Sequence, residues 1–192
     1  MSQRFTGRMW FKRFREAKVL PYFNTAKSWK VPIEAAIKDF NGLGFGVQLV
    51  PAKEEKDALV AFVLANGPAK HPFPGGVAQT KPEFKADRLH GETAAQLDRR
   101  NEIFYAAVFL PGNVKQATKE QKEMLVAHEI IHACGMDEHD SDGIMYDKFR
   151  DSGTGVIELV APSGAAAMPP IRLGAMTVSI MQKLWPAANG TP

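Results

Sequence analysis

The chain has 192 residues, 45% of them apolar, with 24 Lys and Arg against 21 Asp and Glu and a formal net charge of +3. That is enough to bury one good core, so one domain over 1–192 is expected, and a single cysteine, Cys134, excludes an internal disulfide framework. The longest apolar runs, 58–65 and 104–110, are too short to span a bilayer, and the basic N-terminus lacks a following apolar stretch of signal-peptide type. A cytoplasmic protein, or one exported by a specialised route, is expected, acting as a monomer.

Residues 1–30 hold eight Lys or Arg and one acid, Glu16, leaving the remainder near −4. With Trp10, Phe11 and Phe14 among the cations, this arm is a candidate contact for nucleic acid or an anionic membrane surface. The same pattern also describes an edge strand with a solvated face.

Along the chain, VLPYF (19–23) reads as a first strand, and Ile33, Ala36, Ile37 and Phe40 fall at helical spacing until Gly42 and Gly44 stop the helix. VQLV (47–50) predicts a short strand, and ALVAFVLA (58–65) a strand covered on both faces. The Gly- and Pro-rich stretch 66–92 reads as a long irregular loop holding at most one short edge strand, with His71 and His90 on its surface.

IFYAAVFL (103–110) is the next strand, closed by Pro111 and Gly112. Thr118 with Gln121 three residues on is a capping-box pattern, opening a helix that runs into HEIIHAC and ends at Gly135. An acidic turn follows, then SGAAAMPP (163–170), and Met176, Ile180, Met181 and Leu184 at helical spacing before Trp185 and Pro186.

The run HEIIH carries chemistry. Residues four apart lie one above the other on a helix, so His128 and His132 can aim imidazole nitrogens at one ion, with Zn²⁺ the natural occupant. Glu129, one residue round from His128, falls beside the ion rather than on it, within reach of a zinc-bound water, which is the position of a general base. Zinc acidifies that water and polarises a carbonyl, so hydrolysis of a peptide bond in a protein or peptide substrate is the expected reaction. Cys134 points away from the zinc face and is expected in the core.

The longer run HEIIHACGMDEHDSDGIMYD resembles the metzincin clan of zinc peptidases, whose pattern is HExxHxxGxxH followed by a methionine-based turn. His128, Glu129, His132 and Gly135 match position for position, and the resemblance implies Met145 as the Met-turn methionine and Tyr146 as a substrate-pocket residue of matrixin type. The third histidine of the pattern would fall at Glu138, whereas His139 stands one residue later. His139 is the favoured third ligand, with Glu138 or Asp137 as carboxylate alternatives.

The resemblance, covering about 15–187, implies an α+β, zincin-like fold: a twisted mixed sheet with a backing helix and an active-site helix (lobe 15–135), then a small C-terminal lobe (136–190) with one helix. It also likens 71–80 to the rim before a substrate-pairing edge strand. The implied activity is a zinc metalloendopeptidase. The alternative is a non-catalytic, zinc-stabilised binding domain, its ion closed by Asp137 or Glu138. Asp137, Glu138, Asp140 and Asp142 otherwise read as a solvated acidic turn, with a calcium site as the other reading.

Overall fold

The computed structural model describes residues 7–65, 70–72, 74, 78–82, 89–112, 114, 117–140, 143–145, 149–151, 157–159 and 173–187. In chain order the elements are α1 (Lys12–Ala17), β1 (Val19–Asn24), α2 (Lys30–Gly42), β2 (Gln48–Pro51), β3 (Val60–Leu64), β4 (Lys70–Pro72), β5 (Ala78–Thr80), β6 (Glu92–Leu97), β7 (Ile103–Leu110), α3 (Lys119–Ala133), β8 (Phe149–Asp151), β9 (Ile157–Leu159) and α4 (Ala175–Leu184). None of the described helices is long and apolar enough to cross a membrane.

The fold is α+β, built on a five-stranded mixed sheet of order β2-β1-β3-β7-β6. The β1–β2, β1–β3 and β3–β7 pairs are parallel, while β6 runs antiparallel to β7 and forms the sheet edge. Side chains alternate across a strand, so the continuous apolar runs of β3 and β7 feed two cores. Val60, Phe62, Ala106, Val108 and Leu110 face the helices, whereas Ala61, Val63, Tyr105, Ala107 and Phe109 form a smaller cluster on the other face.

Helix α2 buries Ile33, Ala36, Ile37 and Phe40, the stripe expected from their spacing, and packs against α3. Burying each of the larger three contributes about 1.5–3 kcal/mol before entropy is set against it. Helix α3 starts where its cap predicts: Gln121 N donates to Thr118 Oγ1 at 3.2 Å, and Thr118 N donates to Gln121 Oε1 at 2.8 Å.

Three expectations are corrected. Residues 12–17 of the basic arm form α1 rather than a strand, with Trp10 1% exposed and buried in the core. The loop read over 66–92 contains the antiparallel hairpin β4–β5, and the edge strand comes after it, at 92–97. His71 is buried, its Nε2 3.0 Å from Tyr105 Oη beneath that hairpin, because it covers the apolar face that β3 and β7 turn away from the helices.

The C-terminal end of α3 is held by both ends of the chain. A helix leaves its last carbonyls without intrahelical donors. Trp10 Nε1 donates to Ala133 O at 2.9 Å, Trp185 Nε1 to Cys134 O at 2.8 Å, and Arg8 N to Gly135 O at 2.7 Å. Gly135 turns the chain at φ +111°, and a Cβ there would overlap the Arg8 carbonyl oxygen. Gly135→Ala is therefore expected to cost at least about 2 kcal/mol through backbone strain and displacement of the Arg8 backbone. A Tm within a degree of wild type would contradict this.

Candidate metal centre

Helix α3 carries His128 and His132 one turn apart, and the chain returns after Gly135 to bring His139 beside them. The three Nε2 atoms are 3.2, 3.2 and 3.4 Å apart. His128 Nδ1 lies 2.6 Å from Ile144 O, and His132 Nδ1 lies 2.7 Å from Met136 O. A carbonyl only accepts, so each Nδ1 carries the proton and donates, which leaves Nε2 of both rings bare when neutral.

Burial keeps them neutral. Desolvation, aided by the neighbouring His132, holds the His128 imidazole down to about 3 against the Ile144 contact, and desolvation likewise lowers His132. Bare lone pairs 3.2 Å apart cannot share a hydrogen bond, so they repel unless a cation lies among them. Nitrogens about 2.0–2.1 Å from a tetrahedral zinc are about 3.3–3.4 Å apart, so these three fit one face of such a site.

The alternative ligands are placed elsewhere. Glu138 is exposed and outside the histidine cluster, and Asp137 accepts from Arg8 Nε at 2.8 Å. The extra residue between Gly135 and His139 is taken up in the turn. Asp140, read as solvated, is buried: its Oδ2 accepts from Thr177 N at 2.8 Å and Thr177 Oγ1 at 2.9 Å, inside the first turn of α4. A carboxylate there favours the helix N-terminus and fastens the residue after His139 to α4.

Met145 is fully buried, its carbonyl accepting from Asp140 N at 2.9 Å, and it follows the Ile144 whose carbonyl orients His128. Cys134 is buried in the core as expected. Tyr146 and Asp142 lie outside the described residues.

Glu129 is 3% exposed and borders a cavity of about 250 Å³ shared with the three histidines. The opposite wall comes from Leu89 to Thr93. Thr93 Oγ1 is 2.7 Å from Glu129 Oε2 and 3.1 Å from Glu129 O; its one proton goes to the carboxylate, the shorter and charge-assisted contact. Desolvation raises the Glu129 carboxyl to about 7; Thr93, bonding the charged form, opposes that, and Glu92 adds to it.

Gly91 approaches the same carboxylate so closely that a Cβ would lie 2.7 Å from Oε1 and 2.8 Å from Cγ. Gly91 and Thr93 thus bracket Glu129, one by leaving space and one by anchoring. If Glu129 is the base, Thr93→Val is expected to lower kcat about 10-fold, the worth of one hydrogen bond to a charged group, with Thr93→Ser near wild type. Equal kcat for all three proteins would remove the anchor.

His90, expected on an open loop surface, is exposed but lines this cavity. Sequence reasoning missed His90, Gly91, Thr93 and Asp140. The usable signal was the glycine just before the strand, since such glycines mark close backbone approaches. No protein-family model matches the chain, and no curated protein matches it in sequence.

Proposed function

We propose that this protein is a zinc-dependent metallopeptidase of metzincin-like type, cleaving internal bonds of protein or peptide substrates. One observation carries the reading: three converging imidazoles, two with bare Nε2 atoms, stand beside a nearly buried carboxylate at the floor of an open cavity. His128, His132 and His139 would hold the ion. Zinc bound there supplies Lewis acidity, polarising a carbonyl and making water a nucleophile near neutral pH.

Glu129 takes the proton of the attacking water and returns it to the leaving amine. Thr93 holds one carboxylate oxygen, Oε2, which fixes the carboxylate at the cavity. Ile144 O and Met136 O fix the tautomers and aim of His128 and His132. Met145 forms the buried floor beneath them, as the metzincin resemblance implies.

The outer edge of β6 offers backbone groups to an extended peptide, which supports a polypeptide substrate. With Asp137 paired to Arg8 and Glu138 exposed and outside the cluster, neither carboxylate would close the site as a fourth ligand, which supports a catalytic rather than a purely structural ion. The purified chain is expected to carry one zinc and to cleave an unstructured protein, losing activity to a chelator and regaining it with zinc. Undiminished cleavage by Glu129→Ala would sink the reading.

A further inference from the structure

We infer that Arg99 and Arg100 determine substrate preference, taking acidic side chains about six residues before the cleaved bond, so that the favoured substrates are polypeptides with Asp or Glu on that side. This names the substrate class of the peptidase proposed above and rests on that reading.

Strand β6 ties these arginines to the metal cluster. Its first residues, Glu92 and Thr93, line the cavity with the three histidines, and Thr93 bonds Glu129. The strand then leaves the cavity and runs to Leu97, beyond which it turns into β7. One side of β6 is paired to β7, and among the described strands none pairs with the other. An extended peptide added there bonds backbone to backbone, and the antiparallel arrangement is the more stable. A peptide so placed has its N-terminal part beside Leu97 and its cleaved bond at the cavity. Six steps from Thr93 to Arg99 at about 3.3 Å each span about 20 Å, which about six extended substrate residues also cover.

The turn between β6 and β7 is built to hold its shape. Asp98 Oδ1 accepts from Arg100 N at 2.8 Å and from Glu102 N at 2.9 Å, Asp98 N donates to Glu102 O at 3.0 Å, and Asn101 takes φ +64°. Arg99 and Arg100 are both exposed on it, and among the described residues neither guanidinium has an ion-pair partner. Glu102 is paired to Arg15 at 3.7 Å, so with Arg15 counted three arginines stand against Asp98 and Glu102. The planar guanidinium fork matches a carboxylate in shape as well as charge. Glu92, exposed at the cavity end of the same strand, repels acids close to the cleaved bond. The edge thus discriminates by position, welcoming acids only at its far end.

The test compares wild type with the double variant Arg99→Glu, Arg100→Glu, each as the full chain loaded with zinc. The substrates are three peptides alike except at about five to seven residues before the cleaved bond, which are Glu, Ala or Lys; mass spectrometry fixes that bond. For wild type, kcat/KM is expected to be about 5-fold higher for the Glu peptide than for the Ala peptide, through KM, and lowest for the Lys peptide. Raising the salt to about 0.5 M is expected to shrink the advantage. The double variant is expected to reverse the order, with zinc content and Ala-peptide cleavage unchanged. Zinc-loaded Glu129→Ala, read by fluorescence anisotropy, is expected to bind the labelled Glu peptide more tightly than the Lys peptide. The milder pair Arg99→Ala, Arg100→Ala is expected to level the three peptides, and answers the same question if charge reversal disturbs folding.

Equal kcat/KM for the three peptides in wild type, or a preference for Glu that survives in both double variants, overturns this inference alone. If wild type carries zinc and cleaves nothing, the peptidase reading falls and takes this one with it.

Discussion

On the proposed peptidase reading, a single methyl group at position 91 is expected to remove nearly as much cleavage as deleting Glu129, on the order of 10²–10³-fold in kcat for Gly91→Ala. The added Cβ would lie 2.7 Å from Oε1, 2.8 Å from Cγ and 2.9 Å from Cδ of Glu129, well inside the 3.5–4.0 Å at which carbon atoms pack. A flexible glutamate on a surface would swing aside. Glu129 is 3% exposed and its other oxygen is held by Thr93 at 2.7 Å, so yielding means abandoning its place at the cavity.

The histidines are on other contacts, so zinc content is expected to stay at wild-type level. Overpacking of this kind costs about 1–3 kcal/mol of stability, so kinetics should be measured well below the Tm. Wild-type kcat in Gly91→Ala, with stoichiometric zinc, would show that Glu129 moves freely and is not held for catalysis by its neighbours.

Removing the metal is expected to lower the Tm by on the order of 10 °C. An ion present at 1,000 times its Kd contributes about 4 kcal/mol, and a domain of this size shifts about 2–4 °C per kcal/mol. Without an ion, the bare nitrogens of His128 and His132 face each other at 3.2 Å. The metal-free protein is also expected to be acid-labile. Burial depresses His128 to about 3 and lowers His132, so between pH 6.5 and about 3 the unfolded chain binds more protons than the folded one. Stability is fully present above 6.5 and is lost progressively as pH falls through that window. Calorimetry with chelator, then with zinc restored, reads both effects; a Tm indifferent to chelation would contradict a metal role for the cluster.

The two kinds of feature differ in how far the sequence discloses them. The start of α3, its capping box and the i, i+4 histidines are local, written within about fifteen residues, and were legible directly. The apolar runs of β3 and β7 announce themselves because both faces are buried. Strand β6, ETAAQL, has two alanines at its centre and little β-branched or aromatic character, so propensity says nothing about it; pairing to β7 makes it a strand. Thr93 and Gly91 matter through Glu129, 36 and 38 positions away, a relation that no local pattern encodes. Asp140 reads as solvated for the same reason, its partner Thr177 being 37 residues downstream.

The indole clamps of Trp10 and Trp185 set an order of events in the life of the molecule. A ribosome delivers Trp10 before α3 and Trp185 well after it, yet both are needed to occupy the carbonyls where α3 ends and the turn toward His139 begins. An emerging chain can already present HEIIH while lacking the brace that fixes the turn carrying the third histidine. The turn that brings the third histidine to the cluster is therefore fully braced only after Trp185, 46 residues beyond His139, has been made.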